Sequence, residues 1–389
     1  MQLDFHYYAT YCAAYIAGWS HEDSLEIAYS AQFTDCCSRT LLKRIGGPLS
    51  AATTQLQLEL MDAETDPVGL QDITRIWSSF HFLPGDLYAS PERKCSKRFL
   101  RKYRLICNPN GALLKDTVAL ADGKGTQAAG LAMHVLADTW AHRYFAGTPS
   151  LAINNTNYHF YEFVPEGEDL REVQIKFNHN PATADVPEKG LYTNSIYQGY
   201  ESSVMNLGHG RAGHFPDYSF ARYKYMPSWG DYKEILKDNP SDYYHAFCQM
   251  VFALECLRAD FEFKTDIYDF EVVKPWETEI KSILVKRQTD VSEDWKALAE
   301  KLSGCPVEDF DMEKYQEEYI SADEDNKDST FLGKFILAAL GQKSMVTNRI
   351  FVSGSRLAGV SVDFSLKGFR GIRDFSKLVI EQERRRQND

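Results

Sequence analysis

Apolar positions recur with helical spacing over much of the first third of the chain. Ser20 followed by Asp23 has the form of an N-cap with an acidic third position, opening a helix that runs to about Cys37. Residues 50–62 have the pattern of a second, weaker helix. Pro84-Gly85 breaks the chain at residues 80–86 and predicts a loop. The strongest helical signal is the Ala- and Leu-rich run 126–146, preceded by Gly123 and Gly125 and followed by Gly147 and Pro149. Residues 150–200 lose the pattern and read as irregular structure with a short hairpin. Residues 205–230, rich in Gly, Pro and Tyr, read as a long ordered loop. Helical spacing returns at 241–262 and at 291–303, and the acidic stretch 308–328 reads as a solvated helix or linker. The expected fold is therefore all-α: a helical bundle over 1–285 with an irregular Gly/Pro/Tyr-rich insertion, then a helical and mixed C-terminal region over 286–389.

Composition narrows the function classes. The 389 residues are 44% hydrophobic and 25% charged, which excludes a wholly disordered chain. A formal charge of -12 is unsuited to general polyanion binding, so no duplex-DNA partner is expected. The charge is uneven. From Phe331 onward there are 11 Lys+Arg against 5 Asp+Glu, with the run Glu383-Arg384-Arg385-Arg386 near its end. That segment reads as a C-terminal subdomain docked on an acidic body, with peripheral membrane or partner contact as its other use. No apolar run approaches the ~20 residues of a bilayer-spanning helix. The N-terminal stretch lacks a basic region, and Asp4 and His6 interrupt it, so no Sec signal is expected. Together with eight dispersed cysteines and no CxxC motif, this predicts a cytoplasmic protein or one exported without a signal peptide.

The chemistry concentrates on the strongest helix, where His134, Asp138 and His142 are spaced by four residues. Steps of four advance about 400° and about 6 Å, so the three side chains share one face about 12 Å long. One ion with ligand bonds near ~2.1 Å does not reach both ends. Two ions about 3.5–4 Å apart, with Asp138 between them, fit the spacing. Further candidate ligands are His6, Asp35, His81, His209, His214 and Asp217. Arg211 and Arg143 lie beside ligand candidates and suit a phosphate group. His21, His159, His179 and His245 are read as structural or solvated.

These segments in this order (FHYYATY, AYSAQFTD, FHFLPG, HVLADTWAH, GHGRAGHFPD) resemble an uncharacterised bacterial family placed with the zinc-dependent phospholipases C and single-strand-specific nucleases. The resemblance covers about residues 1–270. It implies an all-helical fold and a cluster of two or three zinc ions. It also implies roles: His6 as the N-terminal ligand, Asp35 as ligand and general base, and His81 as the loop ligand. His134 and Asp138 would be the His-x3-Asp pair, with Asp138 bridging, and His142 the next ligand. His209 with His214 or Asp217 would close the set. The spacings around His142 and His209 differ from those of the phospholipases, and two departures stand out. The phospholipases open on a Trp whose amine and carbonyl bind zinc, with no equivalent evident here, and they are secreted, whereas this chain shows no signal.

The expected activity is metal-dependent hydrolysis of a phosphodiester, in a lipid or a nucleotide, with Asp35 and Arg211 as catalytic groups. The alternative is a non-catalytic, metal-stabilised binding protein. The absence of an HD dipeptide and of a GxSxG motif argues against His-Asp phosphohydrolases and serine hydrolases.

Overall fold

A computed structural model describes residues 1–54, 67–91, 94–148, 159–180, 183–194, 208–230 and 233–359. Seven helices form the framework. A π-helical turn, Asp4–Ala9, runs directly into α1 (Thr10–Ile16). After it come α2 (His21–Cys36), α3 (Pro67–Phe80), α4 (Thr126–Ala141), α5 (Asn239–Ala259), α6 (Ser292–Ser303) and α7 (Phe331–Val352).

Every residue of α4 is buried. A helix that is apolar almost all round belongs at the centre of the fold, and α2, α3, α5, α7 and the helix Ala112–Ala121 surround it. Ser20 caps α2 by accepting from the Asp23 amide at 3.0 Å, as its sequence predicts. The two central helices run in the same direction, with Thr126 bonded to Glu26 at one end and His134 facing Asp35 at the other. Gly130 makes the approach possible: a Cβ there would lie 2.2 Å from the Ile27 carbonyl oxygen and 2.6 Å from the Ser30 Cβ.

α4 stops at Ala141, five residues before the sequence signal ends. Tyr144 takes a left-handed conformation (φ 77°) and its amide donates to the Cys107 carbonyl at 2.8 Å, while Cys107 donates back to Phe145 at 2.7 Å. This bridge pulls the chain off the helix axis just after His142.

The fold is mixed α/β, not all-α. Four antiparallel strands form one sheet: β1 (Tyr161–Glu166), β2 (Asp169–Gln174), β5 (Arg222–Tyr225) and β6 (Ile235–Asp238), in the order β2-β1-β5-β6. A separate parallel pair joins β3 (Phe177–Asn178) to β4 (Tyr192–Thr193). The β1–β2 hairpin turns through Gly167 (φ 67°), inside the stretch whose pattern predicts a hairpin. β5 lies in the stretch read as loop, and β6 lies between that stretch and the helix expected over 241–262. Their cause is period-two alternation: Tyr223 and Tyr225 are fully buried while Arg222 and Lys224 face outward. Lys224 meets Glu172 at 2.8 Å and Glu234 at 3.3 Å. Four residues of alternation are easily lost in a Gly- and Pro-rich setting.

The helices after residue 285 share the same apolar core. Trp295 on α6 is fully buried between Phe5 and Phe247. α7 is one continuous helix capped by Thr330. The helix expected over 50–62 begins instead as a short 3-10 turn, Leu49–Ala51, and its remainder from residue 55 lies outside the described residues. The basic end of the chain, from residue 360, also lies outside them. Among the described residues no helix is long and apolar enough to cross a membrane. All eight cysteines are free thiols.

Candidate metal centre

Five separate segments converge on the buried face of α4. His6 comes from the π-helical turn, a geometry that opens the helix and is concentrated at functional sites. Asp35 stands in the last turn of α2, and His81 follows the end of α3. His134 and Asp138 lie on α4, with His142 at its C-cap. His209 is on the short helix Gly208–Ala212, and Asp217 on the turn Phe215–Asp217.

Asp138 is the hub. Its Oδ1 lies 3.2 Å from His6 Nε2 and 2.9 Å from the α-amine of Met1. Its Oδ2 lies 3.2 Å from both His81 Nδ1 and His134 Nε2, and 3.6 Å from His142 Nδ1. Asp35 closes the same side, 3.7 Å from His81 and 3.8 Å from His134. Asp217 organises the other side. Its Oδ1 is 3.2 Å from His142 Nε2 and 3.2 Å from the Met1 amine, and its Oδ2 is 3.2 Å from His209 Nε2. Three groups of donors could therefore each hold a metal ion: His6-His134-Asp138, Asp35-His81-His134, and His142-His209-Asp217.

The chemistry of these donors suits a cation. The Thr53 carbonyl, 2.7 Å from His81 Nε2, can only accept, so that nitrogen carries the proton and Nδ1 turns a lone pair inward. His142 Nδ1 likewise donates to the His81 carbonyl at 2.5 Å, leaving the Nε2 lone pair facing Asp217. Backbone carbonyls holding the outer nitrogen of an imidazole are the usual support of a metal-bound histidine. Buried His6 has neither ring nitrogen hydrogen-bonded among the described residues, and His134 Nδ1 is likewise unpaired. Lone pairs aimed at carboxylates about 3 Å away repel one another unless positive charge lies among them.

Burial and neighbouring charge shift most of these groups. Burial, with His134 and the Met1 amine nearby, pushes His6 down to about 4, so it is neutral at physiological pH. Burial also lowers His142. For His81 the burial effect is outweighed by Asp138 and Asp35, and its pKa rises. Burial would raise Asp138, but His142, the Met1 amine, His134 and His6 hold it well below the carboxylate range. Asp217 is held down in the same way by His209 and the amine. The two carboxylates push the Met1 amine up to about 11 against the effect of burial. Asp35, 32% exposed at its side chain, marks where the cluster opens to solvent.

Residues 1–350 match the profile of a family described as "Family of unknown function (DUF6765)". The chain belongs to this family. No curated protein and no solved structure matches it.

The other predicted residues of this DUF6765 member fall in different places. His214 is turned outward at 57% exposure, 3.7 Å from Asp217 and outside the three donor groups. The left-handed turn at Gly213 (φ 59°), packed against the Thr193 carbonyl, swings it away. Arg211 is buried on the His209 helix, and its carbonyl accepts from Asn194 at 3.1 Å. Arg143 is drawn outward, to Asn108 at 3.1 Å and Asp242 at 3.7 Å. His21, His159, His179 and His245 each hold an ordinary partner: Tyr11, Glu234, Asn194 and the Ser241 carbonyl. Sequence reasoning misses the Met1 amine and the Thr53 carbonyl. Both are backbone groups with no side-chain signature. It also misses Phe82, which stacks on His142 at 4.6 Å.

Proposed function

We propose that this protein holds two or three zinc ions in the His/Asp cluster and hydrolyses phosphodiester bonds. The observation that carries the reading is the convergence of three adjacent donor groups on one helix, with His134 common to two of them. Clustered divalent ions lower the pKa of bound water and neutralise charge developing on phosphoryl oxygens. The chain's own residues supply the rest. His81 and His142 are held in one tautomer by carbonyls, so their inward lone pairs need no reorganisation. Asp35 is the one carboxylate of the cluster with substantial exposure, which suits it to orient an attacking water and take its proton. Phe82 walls His142 and His209 and keeps that side dry.

A second reading has its own support. The His6-His134-Asp138 group is closed to solvent, as structural zinc sites are. Such a protein would bind metal for stability alone, and the C-terminal region would engage a membrane or protein partner.

Elemental analysis of purified protein, followed by turnover assays on lipid and nucleotide phosphodiesters, decides between them. Two or three zincs with phosphodiester turnover that is lost in Asp35→Asn support hydrolysis. Metal without turnover favours the second reading. Less than one ion per chain after zinc addition overturns both.

A further inference from the structure

Lys237 is a charged residue in a place where charge is costly. Strand β6 alternates, and the inward position falls on this lysine, which is 1% exposed. Its ammonium reaches two acceptors: Asp242 Oδ2 at 2.5 Å and the Trp140 carbonyl at 2.8 Å. Trp140 lies between Asp138 and His142 on α4, so its carbonyl belongs to the open last turn of the helix that carries the cluster.

An ion pair of this kind adds little to stability. Apolar residues of the same shape usually replace a buried pair with no loss, or with a gain. The position of the lysine is more informative. The last turn of α4 has two demands on it: His142 must face Asp217, and the chain must leave the helix at once to bridge to Cys107. The ammonium pins the carbonyl two residues before His142 and places positive charge at the negative end of the helix. Asp242 holds the ammonium from the first turn of α5.

We infer that Lys237 is a positioning residue for the His142-His209-Asp217 group, fixing the helix end so that His142 can take a metal ion there. This rests on the proposed metal-binding reading. The lysine touches no donor itself and acts through the Trp140 carbonyl.

The test uses the full chain equilibrated with buffered Zn²⁺ alone, reading ions per chain by elemental analysis, affinity by competition with a chelator, and thermal midpoint. Two variants separate positioning from stability. Lys237→Met removes the bond to Trp140 and keeps the shape. Asp242→Asn leaves a lysine that can still donate to Trp140, charged or neutral, but strips it of its counter-charge. Asp242→Asn is expected to lower the thermal midpoint yet keep the wild-type ion count. Lys237→Met is expected to lose one ion per chain, or to bind it 10–100-fold more weakly, the order of magnitude for groups that support a ligand. Wild-type count and affinity in Lys237→Met overturn the inference, as does equal metal loss in both variants. A wild-type protein that takes up no zinc would instead overturn the metal-binding reading itself.

Discussion

Asp138 is buried among more nitrogen groups than its two oxygens can serve singly. Four imidazoles and the Met1 amine lie within 3.6 Å of them. Its charge is what the site requires, because an amide of the same shape offers one acceptor and one misplaced donor. On the proposed reading, Asp138→Asn is therefore expected to remove at least one ion per chain and with it phosphodiester turnover, while circular dichroism shows the helices retained. Unchanged zinc content in that variant would mean Asp138 is no ligand. The stripe that Asp138 shares with His134 and His142 is legible in the sequence because helical spacing is local. His6, Asp35, His81, His209 and Asp217 can be named one by one, but only the fold brings them to within 4 Å of the stripe or of one another. The outer partners of the histidines are not legible, since the carbonyls of Thr53 and His81 depend on tertiary position alone.

Helix contacts decide whether those residues can meet. Gly130, His134 and Asp138 form one stripe of α4 that faces the stripe Ile27, Ala31 and Asp35 of α2, and the absence of a side chain at Gly130 sets the separation. Gly130→Ala forces the helices apart. Overpacking of this kind costs about 1–3 kcal/mol, to be read from urea unfolding, and zinc affinity should fall with it as Asp35 moves away from His134. Wild-type stability in that variant would show that the helices have slack. α7 meets α3 through a different conflict. Asp72 is shared by Arg39 and Arg75, at 2.5 and 3.0 Å, which leaves half-buried Lys343 as a third cation nearby. Burial, with the two arginines, lowers Lys343 to about 8 although Asp72 opposes it. Between pH 8 and the ordinary lysine value of about 10.4 the unfolded chain binds the extra proton, so this group makes stability rise with pH across that window. Cysteines and tyrosines raised by burial act oppositely there, so the quantity to measure is the difference between wild type and Lys343→Met. The variant is expected to be the more stable at pH 7, and its advantage should shrink toward pH 10; an advantage that does not change with pH would rule out the titration. The strands show the limit of local pattern from the other side. Four residues of Arg-Tyr-Lys-Tyr alternation carry β5, and its partners Glu162 and Asp238 are too distant in sequence to reveal it.

At the scale of the whole molecule, the cluster and the core are one object. The π-helical turn that presents His6 also buries Phe5, which packs edge-on against Tyr243 of α5 at 4.9 Å and Trp295 of α6 at 6.0 Å. His134 and Asp138 belong to the helix around which everything else is arranged. Ions bound there, as proposed, would therefore stabilise the entire fold and not a loop. A ligand that binds only the folded state adds about 2.7 kcal/mol per site at a hundredfold excess over its dissociation constant. Stripping the metal should lower the thermal midpoint by several degrees in a single transition, followed alike by helical signal and by tryptophan fluorescence, because Trp140 and Trp295 report from the cluster helix and from α6. Restoring zinc should return the midpoint, and magnesium should not, since imidazole-rich donors suit zinc and oxygen ligands suit magnesium. If chelation removed the ions, as verified by elemental analysis, and left the midpoint where it was, the bound metal would have to lie outside the core that His6, His134 and Asp138 share.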